Sequence, residues 1–395
     1  MAETDALGQA NIWGRLRGLG RGLVLAGGLF LAACQTIVPK GTGPERPAPP
    51  PPTTVQPGLP TDVQRHRIAL LVPTTGPNAG VGQSIANATT LALLDTSAKT
   101  IRITTYDTGK GAAAAASQAI ADGNRLILGP LTGDEVKATA PAARRANVPI
   151  ISFSNDVSVA GNGVYILGYS PTQSVERIVS YARSRGMNDF AALVPSGVYG
   201  ERAGTAMLRA VEQAGGTVVA METFQRSSGS LAAAVRKLPS GYDAVLIADS
   251  GRIALQAAPV IRQSGGAQAR ILGTELWNTE EGTIAASSVL RGAWFASVSD
   301  AYYRQLATKY RARFKSAPYR LSALGYDAVL LTVRIAQNWK EGAPFPTASL
   351  NDKGGFAGID GAFRFGRDGV ADRALEVQQI DAGKYTVIDA APRGF

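Results

Sequence analysis

From residue 67 onward, short apolar runs alternate with stretches of helical periodicity, and this alternation restricts the fold more than any other feature of the chain. "RIALLV" (67–72) is almost continuously apolar, the pattern of a strand buried on both faces of a parallel sheet. The next stretch carries Val81, Ile85, Ala88 and Ala92 on one helical stripe. "IRITTY" (101–106) alternates instead and suits an edge strand. "LIL" (126–128) and "PIIS" (149–152) continue the series, with helices predicted in "AAAAASQAIAD" and "DEVKATAPAARRA". Pro149 fits only at a strand start or edge. A second series opens at "SPTQSVERIVSYARSRG". There Ser170 is placed to cap, Pro171 takes the first helical position, and Gln173 completes a capping box. Val175, Ile178, Val179 and Ala182 form its buried stripe. Strands are predicted at "FAALV" (190–194), "TVVAME" (217–222), "AVLIA" (244–248) and "RILG" (270–273). Two such series predict an α/β protein of two doubly wound parallel-sheet lobes. The roughly 335 residues after position 60 are ample for two domains.

The N-terminal segment reads differently. Arg15, Arg17 and Arg21 precede an apolar run, Gly22 to Leu31, and small Ala32 and Ala33 lead to Cys34, the single cysteine. That order is a secretory signal, and the run falls short of the ~20 residues a membrane-spanning helix needs. A buried core helix here would have to begin with three arginines and end in polyproline. Leu31-Ala32-Ala33-Cys34 resembles the lipobox of bacterial lipoproteins. The resemblance implies a signal peptide over 1–33, cleavage before Cys34 and lipid on its sulfur, the anchor being the protein's contact with the membrane. Gln35 in place of an aspartate implies the outer membrane, facing the periplasm. Residues 34–65 form the lipidated cysteine and a tether. Pro49 to Pro52 run consecutively, and an extended polyproline II chain at ~3.1 Å per residue reaches at most about 80 Å over residues 35–60.

Charge excludes one class of partner. The formal net charge is +10; the five basic and three acidic residues before position 61 account for +2 of it, leaving +8. The excess is diffuse: Arg144-Arg145 is the longest basic run, and Lys309, Arg311, Arg313 and Lys315 divide between two faces of a helix. A nucleic-acid surface needs clustered cations, so nucleic acid is not an expected partner.

Several segments, in order from about residue 66 to the C-terminus, resemble type I periplasmic binding proteins such as the leucine/isoleucine/valine-binding proteins. They are "RIALLVPTTGPNAG", "LILGPLTGDEV", "VPIISFSND", "LVPSGVYGE", "LGYDAVLL" and "GFAGIDGAFRFGRDG". "ILGPL", "VPIISFSNDVSVAG" and "ILGTELW" are most similar to the penicillin-binding-protein activator lipoproteins of that superfamily. The resemblance implies a three-crossing hinge, with lobe one at 66–168 and 299–361 and lobe two at 169–298 and 362–395. Its first functional implication is an activator that binds a peptidoglycan synthase, a penicillin-binding protein. The alternative is a solute-binding component delivering amino acids or peptides to an ABC permease.

In doubly wound sheets ligands bind beyond the carboxyl ends of strands. The cleft candidates are therefore Thr75, Asn78, Gly133, Ser154, Asn155 and Asp156 on the first lobe, and Tyr199, Ser250, Glu275 and Trp277 on the second. In amino-acid-binding relatives a serine at the start of the third helix and a small-residue-plus-threonine turn hold the ligand's carboxylate and amine; here Gly133 stands in place of that serine, Asp156 in place of the threonine, and Val81 replaces an aromatic residue. Tyr199 and Glu275 match positions that hold the ligand's side chain and amine. Thr132 and Glu135 form a T-x-x-E capping box. Asp156 and Glu275 favour a small amine-bearing ligand over a bare anion. No catalytic residue, metal site or cofactor is expected. The single histidine, His66, is placed at the linker boundary as an exposed residue, which excludes His-based triads and multi-histidine metal sites. "TYDTGKGA" lacks the glycine and hydroxyl positions of a phosphate-binding loop.

Overall fold

The computed structural model describes residues 65–392. Cys34, the apolar leader and residues 35–64 of the proline-rich segment lie outside the described residues. β1 (His66–Val72) pairs in parallel with β2 (Ile101–Asp107) on one side and β3 (Leu126–Leu128) on the other. β4 (Ile150–Ser152) and β5 (Val164–Ile166) complete a parallel sheet of order β2-β1-β3-β4-β5. The two-residue period of a strand divides β1 between two cores. Ile68, Leu70 and Val72 meet residues of α1 (Ala79–Thr96), among them Ile85 and Ala92. Ala69 and Leu71 face α2 (Ala112–Ala121) and α3 (Gly133–Arg145) through Ala116, Ala119, Val136 and Ala140. β2 is the edge strand its alternation predicts.

α4 (Pro171–Ser184) opens the second lobe, with Val175, Ile178, Val179 and Ala182 buried as expected. β6 (Asp189–Pro195), β7 (Thr217–Phe224), β8 (Ala244–Ile247), β9 (Arg270–Gly273) and β10 (Trp294–Ser297) are its parallel strands. Between them run α5 (Val198–Gln213), α6 (Ser228–Arg236), α7 (Gly251–Gln263) and the short α8 (Glu281–Ile284). The chain then returns to the first lobe as α9 (Ala301–Phe314) and α10 (Ser322–Ala336), which packs along α1. A small antiparallel sheet follows, β11 (Phe356–Gly358), β12 (Gly361–Phe365) and β13 (Ala371–Arg373). Finally β14 (Glu376–Asp381) and β15 (Lys384–Asp389) extend the second sheet, giving the order β15-β14-β10-β9-β8-β6-β7.

The two lobes repeat one packing device. A Cβ on Gly82 would lie 1.9 Å from the Pro73 carbonyl oxygen, and one on Gly200 would lie 1.7 Å from that of Pro195. In each lobe only glycine lets the helix that follows the first strand sit this close to that strand's carboxyl end.

Four expectations need correction. The third crossing does not fall near Gly361: Phe363, Phe365 and Ala371 share a core with Ile68 and Leu70, so the chain leaves the first lobe only after Arg373. The second sheet is not wholly parallel, because β14 runs antiparallel to β10. Ser170 makes no side-chain cap, and Gln173 reaches across the crossing instead, donating to the Ala371 carbonyl (2.7 Å) and accepting from the Arg373 amide (3.2 Å). His66 is no linker residue; it opens β1, is 7% exposed and stacks on Trp339 at 3.9 Å, and burial lowers its pKa.

Candidate functional site

Residues just beyond the carboxyl ends of strands in both sheets enclose a cavity of about 340 Å³. Val81, Leu131, Phe153, Leu276, Val298 and Leu321 supply apolar walls. Asn78 at the start of α1, Thr132 before α3 and Asn155 after β4 bring polar groups from the first lobe. Glu275, Asn278 and Ser297 bring them from the second.

Glu275 follows β9, where the chain turns through a 3-10 helix over Glu275–Glu280. Its Oε1 accepts from the Tyr199 hydroxyl at 2.9 Å, and its Oε2 from the Ser174 hydroxyl. Tyr199 also hydrogen-bonds Thr274 at 2.9 Å. Burial pushes the Glu275 carboxyl up, and the two hydroxyl donors only partly offset it. Burial, with Glu275 beside it, raises Tyr199 well above the usual phenol range.

The cationic side chain in the cavity wall is Arg320, from the loop before α10. Its Nη1 lies 2.7 Å from Asp360 and its Nη2 3.2 Å from Asp300, and the guanidinium sits 4.1 Å over the Tyr303 ring. Tyr169 donates to Asp360. Burial alone would lower the Arg320 pKa; Asp360, Tyr169 and Asp300 outweigh it and raise it. In the same cavity lining, the Ser297 hydroxyl and the Asn278 carbonyl oxygen are buried and have no hydrogen-bond partner among the described residues.

A second cavity, about 270 Å³, is lined by Gly133, Asn155, Asp156, Tyr199 and Arg202. Here Arg202 of α5 reaches across to the first lobe, binding Asp156 at 2.5 Å and the Asn155 carbonyl at 3.3 Å. Burial opposes ionisation of Asp156, but donors from Ser158 and Arg202 hold its pKa below the usual value. The Asp156 carboxylate leans on Gly133, where a Cβ would meet its Oδ2 at 2.6 Å. At the start of α3 the Thr132–Glu135 capping box forms as expected.

Of the candidates read from sequence, Asn78, Asn155 and Glu275 line the first cavity, while Gly133, Asp156 and Tyr199 line the second with Asn155. The others have structural work. Thr75 is exposed, and its amide and hydroxyl bind Asp107; burial works to raise the Asp107 pKa, but these donors together with the Thr74 and Gly109 amides hold it at about 2. Ser154 is buried and accepts from the Asp156 amide (3.0 Å). Ser250 begins α7 and donates its amide to Asp249 (2.7 Å). Trp277 is wholly buried in the second lobe's core, donating to the Asp249 carbonyl at 2.9 Å. Asp156, expected to meet an amine, already meets Arg202. Sequence reasoning missed Arg320, Tyr169, Asn278 and Ser297; nothing local in "SAPYRLSAL" separates Arg320 from an exposed arginine. Among the described residues no group of three or more metal-ligating side chains occurs, and no helix is long and apolar enough to cross a membrane.

A family model described as periplasmic binding protein matches residues 66–384. The uncharacterized protein RP748 of Rickettsia prowazekii (strain Madrid E) is 27% identical over 180 residues, 45% of this chain and 48% of that protein. The match thus spans about half the length of that curated relative. The solute binding protein of an ABC transporter from Rhodopseudomonas palustris BisB5, solved with 3,4-dihydroxy benzoic acid, superposes with a TM-score of 0.65. It is 17% identical, over 84% of this chain and 99% of that one. The branched-chain amino acid transporter substrate binding protein LivJ from Streptococcus pneumoniae, solved with isoleucine, gives 0.63 at 19% identity, over 83% and 100%.

Proposed function

The chain belongs to the periplasmic binding protein family, and from that premise we propose that it is an extracytoplasmic solute-binding protein serving an ABC permease. The observation that carries this reading is the 340 Å³ cavity, walled from both lobes and mostly apolar, with a few polar groups converging on it. Two proteins of the same fold hold 3,4-dihydroxy benzoic acid and isoleucine, both small solutes. Capture would close the lobes on the solute to the extent that it binds the closed form better than the open one. Cys34 would carry the lipid anchor, with Gln35 directing it to the outer membrane and residues 35–65 acting as a tether.

Stimulation of a peptidoglycan synthase, the first implication of the sequence resemblance, makes no use of this cavity. A protein partner buries ~800 Å² per side and cannot enter a cleft of this size. Solute capture is therefore the leading reading. The test is a thermal-shift screen of acids, amines, amino acids and short peptides on the purified protein, run beside a glycan-polymerisation assay with peptidoglycan synthases. A solute that stabilises the protein, with binding weakened by Tyr199→Ala, is the expected result. Synthase stimulation with no solute response of any class would overturn it.

A further inference from the structure

We propose that the cleft cavity selects a compact apolar amine, its ammonium group set against Glu275, and rejects solutes that carry a free carboxylate. This rests on the solute-capture reading and narrows it to a chemical class.

Glu275 is half-buried in the cavity wall, and among the described residues it has no cation within ion-pair distance; its side-chain partners are the hydroxyls of Ser174 and Tyr199. A carboxylate withdrawn from water and answered only by neutral donors is strongly disfavoured, and an incoming ammonium corrects that imbalance. The groups around it give no help. Thr274 binds Tyr199 and not the carboxylate, and Asp249, behind Tyr199, is paired with Arg226 at 2.8 Å.

The cations that could receive a carboxylate are already committed. Arg320 stands between Asp300 and Asp360. Arg202 is bound by Asp156. The helix end at α3, which could otherwise hold an anion, carries Asp134 and Glu135 in its first turn, and Glu135 closes the capping box with Thr132. In the cavity wall the guanidinium of Arg320 is thus held between two carboxylates while Glu275 faces no cation among the described residues, a lining that attracts an ammonium more than a carboxylate. The solute's body would lie along Val81, Leu131, Phe153 and Leu276. This is a departure from a zwitterion site: the amine has a charged partner, and the carboxylate meets no uncommitted cation in the cavity lining.

The experiment is calorimetric titration of the full-length protein with matched probes: 3-methylbutylamine, 3-methylbutanoate and leucine, then 2-phenylethylamine, phenylacetate and phenylalanine. At least one amine should bind about tenfold or more tighter than its acid and its zwitterion, the contrast expected of a desolvated charge pair. Glu275→Gln should remove that preference while leaving the melting temperature equal or higher, since it also removes the unanswered charge. Arg202→Gln controls for the second cavity and should leave the amine preference intact. Tighter binding of an acid or a zwitterion would overturn the amine assignment and leave solute capture standing. If neither these probes nor a wide panel of sugars, peptides and other solutes binds, both readings fall together.

Discussion

Two ion-pair systems join the lobes, and they are built to opposite standards. At the crossings, buried arginines bind across all three chain passages. Arg320 meets Asp300 of the second passage and Asp360, which also accepts from Tyr169 of the first. Arg373, at the third, donates to the Leu167 carbonyl at 2.9 Å and lies 3.5 Å from Asp327. All four charged side chains of the Arg320–Asp360 and Arg373–Asp327 pairs are at most 7% exposed. In the second cavity a single pair, Arg202–Asp156, spans the cleft with side chains 21% and 19% exposed. A buried pair is costly to break because each lost partner strands a charge, whereas a pair in reach of water can part and be re-solvated. On the solute-capture reading, the hinge is fixed where the lobes stay joined and the latch is soft where they part.

That contrast can be broken at its strong end first. Arg320→Met should destabilise the protein by about 3 to 5 kcal/mol in urea unfolding, because Asp300 and Asp360 lose their cation inside the fold. A loss below 1 kcal/mol would mean that the clamp is dispensable. Arg202→Ala should cost only about 1 kcal/mol or less, yet enlarge the radius of gyration of the solute-free protein in solution scattering as the lobes part. Gly133→Ala should reach the same open form by displacing Asp156. Unchanged scattering in both variants would remove the latch. The smallest effect is a pH dependence at the hinge. Burial and then Asp360 push the Asp327 pKa up to about 7, against the opposing pull of Arg373. A carboxyl raised on folding stabilises fully below its unfolded pKa, 3.8, and loses that contribution as pH rises through about 7. The urea midpoint should therefore fall between pH 6 and pH 8, and Asp327→Asn should flatten the fall.

The same division explains what could be read from the sequence. β1, β3 and the stripe of α4 announce themselves through local pattern, since their burial follows from period alone. The Thr132–Glu135 cap is visible for the same reason, its partners being three residues apart. Gln173 looked like a cap by spacing, but its amide is used by Ala371 and Arg373, almost 200 residues on, and no local rule reports such a demand. No local rule reports Arg320 either: its partners Asp300 and Asp360 lie 20 residues before it and 40 residues after it. Glu275 was legible through the resemblance of its segment. Trp277, two residues later, turned out to be core, because the 3-10 turn directs it against Gly273 and Phe295 and away from the cavity.

The position of β1 has a mechanical consequence. It is the first element of the described chain, and it lies between two partners, with seven residue pairs to β2 and three to β3. A pull transmitted through residue 65 runs along this strand and not across it, so the rungs on both sides are loaded together in shear and do not peel apart one at a time. The end through which a membrane tether would tug on the protein is thus the end at which the first lobe is gripped from both sides.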